Sequence, residues 1–304
     1  MSKPQVIAIL NPMSQFEGLF DNGCAPGLYY SAWLPETTPR AIIILMHGLA
    51  DHSGRYDNVV NHLLPQGYAV WTFDQRGHGR SPGQRCYVNS FDDLTGDLAK
   101  FVDKVRTANP GLPLFLLGHS LGALEAADYA TSTPAGIDGV VLSGLPLNIE
   151  HGVSHLLVKL AKFFSVLTPR LGVQKLPSDT ISRDPKVVED YVKDPLVYNG
   201  KIPARMGAEL FRTTRAIKSR LSNITLPILV LHGEHDRMAE PSGSRLLFEK
   251  AASTDKELEI FPGCYHEIFN EPCRATVLEV VSTWLNRHTS RQLSAISYQK
   301  INTK

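Results

Sequence analysis

The amino-acid sequence predicts an α/β fold in which a mostly parallel central sheet carries helices on both faces. Short apolar runs rich in β-branched residues alternate with helical patterns along most of the chain, and this alternation is typical of parallel strands joined by helices. One apolar run leads directly into Gly-His-Ser-Leu-Gly. A long interval without a convincing buried strand separates the run GVVLSG from the run PILVLHG.

The predicted strands follow one another in a simple order. The stretches FEGLF and LYYSAWLP flank a turn rich in Gly, Asn and Pro, so we expect an antiparallel hairpin at the edge of the sheet. Six further strands are predicted: AIIILMHG, YAVWTFDQRG, LPLFLLGHS, GVVLSG, PILVLHG and LEIFPG. Because parallel strands end at the same edge of a sheet, we expect the residues that follow them to lie close together.

The interval between GVVLSG and PILVLHG is far longer than one crossover helix requires, and we predict an inserted helical cap there. The predicted divisions are a first core part (1–145), the cap (146–222), a second core part (223–288) and a polar C-terminal tail (289–304) without an assigned role.

A helical stripe is predicted within the cap, at residues 153–167. Its apolar side chains recur at helical spacing, with Lys159 and Lys162 on another face. Such a helix either packs on the body of the protein or forms a lid that touches lipid. The sequence leaves both alternatives open.

The composition narrows the classes of partner. The 304 residues are 43% hydrophobic and carry a net charge of +1, so no nucleic-acid partner is expected. The N-terminal apolar run is too short for a signal peptide, and no segment approaches a bilayer span; we therefore expect a cytoplasmic protein. The cysteines show no metal-ligand spacing and are predicted to be free thiols, at positions Cys24, Cys86, Cys264 and Cys273.

Ser120 is the predicted nucleophile. It lies at the end of an apolar run and before a helix of small residues, between Gly118 and Gly122. A serine on a sharp strand-to-helix turn needs neighbours without bulky side chains. An ordinary structural turn is the alternative.

A nucleophilic serine needs a histidine base and a carboxylate that orients it, both after later strands. His266 follows LEIFPG, and Asp236 and Glu234 follow PILVLHG. We prefer Asp236 because the chain must first complete a turn after the strand. His232 and His235 are predicted to be structural.

Two backbone amides are required to stabilise the oxyanion of acyl transfer. Leu121 follows the nucleophile at a helix N-terminus, and Leu49 follows the strand AIIILMHG. His47 is expected to hold that loop in place. The cluster of Asp74, Arg76 and His78 in FDQRGHGRS is predicted to be a braced turn rather than a catalytic site.

Several stretches resemble the monoglyceride lipase family of α/β-hydrolases, which includes proteins often labelled lysophospholipases. The resemblance covers nearly all of residues 16–288, and the stretches that carry it are HGLADHSGRY, FDQRGHGRSPG, GLPLFLLGHSLG, DPLVY, LHGEHDRM and YHEIFNE. It implies the same triad and oxyanion amides, together with a helical lid over an apolar acyl tunnel. It also implicates Asp51, Arg55 and Tyr191 in substrate binding, with Arg55 alternatively a structural tie.

Three positions depart from the family pattern. Ala50 stands where the family commonly has glycine, Asp51 where it has glutamate, and Leu121 where methionine is frequent. These changes leave the chemistry intact and bear on the shape of the alcohol pocket.

We therefore expect a serine hydrolase that cleaves esters of single-chain lipids, foremost monoacylglycerol, without cofactor or metal and with transient membrane contact through the cap. A lysophospholipase and an esterase for small or aromatic esters are alternatives within the same chemistry. A catalytically silent ligand-binding protein on the same fold is the non-enzymatic alternative. Epoxide hydrolases and dehalogenases of this fold need Asp at the position of Ser120 and are disfavoured.

Overall fold

A computed structural model describes residues 14–132, 136–149 and 164–302. Ten strands and seven named helices lie in these ranges. The strands are β1 (Ser14–Phe20), β2 (Leu28–Leu34), β3 (Ala41–Met46), β4 (Tyr68–Phe73), β5 (Leu114–His119), β6 (Gly139–Ser143), β7 (Gly172–Lys175), β8 (Lys201–Pro203), β9 (Ile228–Gly233) and β10 (Lys256–Phe261). The helices are α1 (Asp57–Leu63), α2 (Asp92–Ala108), α3 (Leu121–Ser132), α4 (Pro185–Lys193), α5 (Ala204–Lys218), α6 (Pro241–Lys250) and α7 (Arg274–Asn302).

Eight strands form the central sheet, in the order β1-β2-β4-β3-β5-β6-β9-β10. β2 runs antiparallel to both β1 and β4, whereas β4, β3, β5, β6, β9 and β10 are mutually parallel. The predicted α/β-hydrolase fold and its edge hairpin are therefore confirmed. The carboxyl ends of β3, β5, β6, β9 and β10 meet at one edge, which carries the candidate site.

Helices cover both faces of the sheet. Because side chains alternate along each strand, each buried strand contributes side chains to the core on either face. In β3, Ile42 and Ile44 pack toward α2 and α3, whereas Ile43 and Leu45 pack toward α1 and α7. All four side chains are buried, and this explains why the strand is a continuous apolar run.

The segment between β6 and β9 contains α4, α5 and the short antiparallel pair β7–β8. The helix predicted over 153–167 lies mostly outside the described residues; 164–167 are helical. Four side chains nearby are strongly exposed and apolar, and we call them the apolar patch: Val166, Leu167, Leu171 and Val173.

The C-terminal region is helical beyond residue 288, where the sequence suggested a polar tail. α7 runs from Arg274 to Asn302, and Thr289 within it is buried. No helix in the described ranges is long and apolar enough to cross a membrane.

The structure corrects one prediction about the cysteines. Cys24 and Cys86 are free thiols, as expected, but Cys264 and Cys273 are not separate from each other, because their sulfur atoms lie in contact. Local sequence spacing did not indicate this pair, because the turn between β10 and α7 brings the two residues together.

α3 contains a buried acid that no protein group satisfies in the part of the chain described. Glu125 is fully buried, and neither carboxylate oxygen has a hydrogen-bond partner. Burial, with the nearby charges of Asp97 and Asp128, raises its pKa well above the ordinary value.

Candidate active site

Ser120 lies between β5 and α3 with a backbone φ of 53°. A non-glycine residue in this left-handed region is strained, and such residues cluster at functional sites. The turn is held by the Ser120 amide, which donates to the Ser143 carbonyl at 2.8 Å, and by the Leu124 amide, which donates to the Ser120 carbonyl at 3.0 Å.

The two glycines around Ser120 are sterically required. A Cβ on Gly118 would lie 2.3 Å from the carbonyl oxygen of Gly122, and a Cβ on Gly122 would lie 2.4 Å from that of Met46. Helix α3 can therefore start directly against β3 and β5 only because both side chains are absent. This close packing places the Leu121 amide in the first turn of α3 beside the serine.

Asp236 and His266 form a buried pair at the ends of β9 and β10. Oδ2 of Asp236 lies 2.6 Å from Nδ1 of His266, and Oδ1 of Asp236 accepts the amides of Met238 and Ala239 at 2.8 and 2.9 Å. Burial alone would raise the pKa of Asp236, but the His266 charge and the hydrogen bonds hold it far below its ordinary value.

His266 is charged more readily than an ordinary histidine. Burial works to lower its pKa, but Asp236 outweighs that effect through charge and hydrogen bonding, and the pKa is raised above 6.5. Its ring lies 4.7 Å, centre to centre, from that of His119, the residue immediately before Ser120. A Cβ on Gly144 would lie 3.1 Å from Cε1 of His266, so the histidine packs against the end of β6 next to the serine turn.

Glu234, the other carboxylate after β9, faces elsewhere. Its carboxylate accepts the amide of Gly263 at 2.9 Å, and its side chain is half exposed beside His235. Of the two acids, Asp236 is therefore the one that contacts His266.

The loop after β3 lies against the serine. A Cβ on Gly48 would be 3.3 Å from the Cβ of Ser120, so the backbone around Leu49 passes close to the nucleophile. His47 braces this loop: Nδ1 donates to the Gly48 carbonyl at 2.8 Å, and Nε2 accepts the Gln75 amide at 2.9 Å. Burial lowers the pKa of His47, so it remains neutral.

Ala50 has a backbone conformation that favours glycine, the residue that the family commonly has at this position. Its φ is 67°, a conformation that glycine adopts without strain and alanine adopts at a cost. The amide of Tyr198, which belongs to the segment between β6 and β9, donates to the Ala50 carbonyl at 2.8 Å. The strained residue is thus tied to the inserted segment.

Asp51, Arg55 and Tyr191, which the resemblance implicates in substrate binding, lie in one cluster in which Arg55 contacts both of the other residues. Nη1 of Arg55 lies 3.0 Å from Oδ1 of Asp51, and its two Nη atoms lie 2.8 and 2.7 Å from the carboxylate of Glu267. The guanidinium carbon is 4.6 Å from the centre of the Tyr191 ring. Although burial opposes ionisation, Arg55 lowers the pKa of Asp51 to about 2.

Glu267 and Glu271 are residues that the sequence reasoning missed. Glu267 directly follows His266 and is buried. Glu271 accepts the amides of Tyr265 and Arg183 at 3.1 and 2.9 Å, and its other oxygen receives Nε of Arg183 at 2.9 Å. The motif YHEIFNE carried both acids, but their arginine partners, Arg55 and Arg183, lie far away in sequence. Together they fasten the histidine loop to its surroundings.

The cluster in FDQRGHGRS is a braced turn, as predicted. Asp74 accepts the amides of Ser53 and Arg80 at 2.8 and 2.7 Å, and Arg76 forms a two-point pair with Asp97. Within the described ranges, no three His, Cys, Asp or Glu side chains are grouped so that they could hold a metal ion.

The fold, the strained serine turn and the buried Asp–His pair define a serine hydrolase of the α/β-hydrolase class. The profile of the Hydrolase_4 family, Serine aminopeptidase S33, matches residues 37–273, and the chain belongs to this family. It is a serine carboxylic ester hydrolase related to the monoglyceride lipases.

Named relatives agree with this assignment. The chain is 39% identical over 261 residues to the monoacylglycerol lipase of Mycolicibacterium smegmatis, covering 86% of this chain and 93% of the relative. It is 34% identical over 266 residues to human monoglyceride lipase, covering 86% and 88% of the two chains. The crystal structure of Paleococcus ferrophilus monoacylglycerol lipase superposes with a TM-score of 0.78 at 34% identity, covering 86% of this chain and 99% of that one.

Proposed function

We propose that the protein hydrolyses monoacylglycerol to glycerol and a fatty acid through an acyl-enzyme on Ser120. The observation that carries the proposal is the strained Ser120 turn beside the buried Asp236–His266 pair. The relatives named monoacylglycerol lipase and monoglyceride lipase support the choice of substrate, since the similarity covers most of each chain.

In the proposed acylation, His266 takes the Ser120 hydroxyl proton as Oγ attacks the ester carbonyl carbon. The tetrahedral intermediate collapses, the C–O bond to glycerol breaks, and His266 gives its proton to the departing glycerol oxygen. Water then attacks the acyl-serine with the same proton transfers and releases the fatty acid. Asp236 stabilises the imidazolium that forms in each half-reaction.

The amides of Leu121 and Leu49 are the proposed donors to the oxyanion. Leu121 opens α3, where backbone N–H groups lack partners within the helix. The closeness of Gly48 to Ser120 supports the placement of Leu49 on the other side of the reacting carbonyl. The Asp51–Arg55–Tyr191 cluster is proposed to border the alcohol end of this site.

We further propose that residues 146–222 act as the cap and that the apolar patch contacts lipid surfaces. Val166 and Leu167 are 72% and 62% exposed, and burying such side chains in lipid is favourable. Arg170 and Lys175 are exposed close by in the chain, where they can meet anionic headgroups.

The test is a hydrolysis panel that compares monoacylglycerols, lysophospholipids, short p-nitrophenyl esters and feruloyl esters. We expect the highest kcat/KM on a monoacylglycerol, with labelling of Ser120 by a serine-reactive phosphonate. Ser120→Ala should lose both labelling and at least about 10³-fold in activity, whereas Ser219→Ala, at an exposed position, should retain both. Higher kcat/KM on lysophospholipids or small esters would overturn the substrate assignment, and labelling of Ser120→Ala would overturn the nucleophile.

A further inference from the structure

A second histidine contacts the candidate catalytic acid. His232 lies on β9, four residues before Asp236, and its side chain is fully buried. Nε2 of His232 is 3.1 Å from Oδ2 of Asp236, the same oxygen that lies 2.6 Å from Nδ1 of His266. Two imidazole rings therefore converge on one carboxylate oxygen.

The hydrogen-bond partners of His232 fix which ring nitrogen carries the proton. Nε2 lies 2.6 Å from the carbonyl oxygen of Ala239, and a carbonyl oxygen can only accept. Nε2 must therefore be the donor. Nδ1 lies 2.7 Å from Oγ of Ser244 and can accept the hydroxyl proton, while the Nε2–H group binds Ala239 and lies beside Oδ2 of Asp236.

We propose that His232 is a positioning residue for ester hydrolysis: it holds Asp236 in the orientation that His266 requires and moderates the negative charge on Oδ2. The proposal rests on the catalytic roles proposed for Asp236 and His266. Both carboxylate oxygens of Asp236 have partners. Oδ1 accepts two backbone amides, and Oδ2 lies next to a ring nitrogen of each histidine. Ser244 acts one step further away by fixing the tautomer of His232.

The predicted signature is a shift in the pH dependence of the reaction. An N–H that points at a carboxylate stabilises its charge. Without the His232 donor, more of the charge on Oδ2 is available to His266, so the imidazolium is favoured and the base form appears only at higher pH. The other charged or titratable groups near His266 remain in place: Asp51, Arg55, Glu267 and His119.

The experiment compares His232→Leu with His232→Gln on a soluble short-chain ester between pH 5 and 9. The leucine variant lacks the donor, and we expect kcat to fall about 10-fold or more with KM within about twofold, and the acid limb of kcat/KM to move up by about half a pH unit. Glutamine retains an N–H donor and should restore kcat to within about threefold of wild type. A leucine variant with a native near-ultraviolet CD spectrum, wild-type kcat and an unmoved limb would overturn the proposal.

A matched control separates this effect from loss of packing. Nε2 of His62 lies 3.1 Å from Oγ of Ser282, away from the candidate site, so His62→Leu removes a similar contact and should leave kcat and the pH limb unchanged. If His232→Leu does not fold, Ser244→Ala decides the matter because the ring stays in place. We expect a few-fold lower kcat and an upward shift of the limb, and the absence of both would overturn the proposal.

Asp236→Asn, measured alongside, separates the two hypotheses. If it loses activity while His232→Leu does not, only the role of His232 is wrong. If it keeps wild-type kcat, the proposed role of Asp236 fails, and that of His232 fails with it.

Discussion

Oδ2 of Asp236 lies 2.6 Å from Nδ1 of His266, whereas Glu234, two residues earlier, binds the amide of Gly263. Both acids follow β9 in the sequence LHGEHD. A turn of only two residues thus assigns them opposite environments, one buried on the histidine and the other half exposed.

The first prediction contrasts these two acids. Asp236→Asn removes the charge that stabilises the imidazolium and allows the wrong tautomer of His266, so we expect kcat to fall up to about 10⁴-fold. Glu234→Gln should change kcat less than about threefold, since its side chain braces a turn. Steady-state kinetics on a short p-nitrophenyl ester measure both, and the reverse order of effects would contradict the assignment.

The second prediction concerns pH. Because the pKa of His266 is raised above 6.5 and the neutral form is the base, kcat/KM should fall about tenfold per pH unit below a midpoint higher than 6.5. Activity is therefore present above that pKa and lost as the pH falls through it. The residual activity of Asp236→Asn should show a lower midpoint, because the charge that raises the pKa is gone; an identical midpoint would contradict this origin.

The third prediction distinguishes a structural from a substrate-binding role for Arg55. Its side chain is only 10% exposed between Asp51 and Glu267, so Arg55→Met leaves two buried carboxylates without their cation and should lower the free energy of unfolding by about 3–5 kcal/mol. The exposed pair of Arg80 and Glu17 provides the control, and Arg80→Met should cost less than about 1 kcal/mol. Chemical denaturation measures both. A raised KM with unchanged stability of Arg55→Met would instead indicate substrate binding.

The fourth prediction tests the apolar patch. Val166→Ser with Leu167→Ser should weaken binding to anionic lipid vesicles and lower activity on emulsified long-chain monoacylglycerol, because these exposed side chains lose contact with acyl chains. Turnover of p-nitrophenyl butyrate and the melting temperature should change little. Leu19→Ser, at a residue 55% exposed on the edge strand β1, is the control for general loss of surface hydrophobicity. Equal losses on both substrates with a lowered melting temperature would contradict lipid contact.

Much of the fold could be predicted because its signals are local. The runs that became β3, β5, β6 and β9 are mostly apolar and are buried over the whole strand, as expected for strands covered on both faces. The spacing of glycines around Ser120 was also sufficient to predict the serine turn. The close approach of α3 to β3 admits no side chain at Gly118 or Gly122.

Other features could not be predicted because they depend on residues far apart in the sequence. Arg55 and Glu267 are separated by 212 residues, and no periodicity connects them. The pair β7–β8 is only four and three residues long, too short for a pattern to emerge. The His232 ring was expected to be structural, and the sequence gives no sign that the turn after β9 brings it against the candidate catalytic acid, Asp236.

Glu125 lowers the stability of the folded protein at neutral and alkaline pH, so its replacement should stabilise the protein. The unfolded chain ionises this acid near its ordinary pKa of 4.5, whereas burial raises its pKa well above that value in the folded chain, so the folded state loses relative free energy as the pH rises above 4.5. Replacing the acid by a neutral group of similar size removes this penalty without touching the serine turn. We expect Glu125→Gln to melt at a higher temperature at pH 8 and to differ less from wild type at pH 4.5.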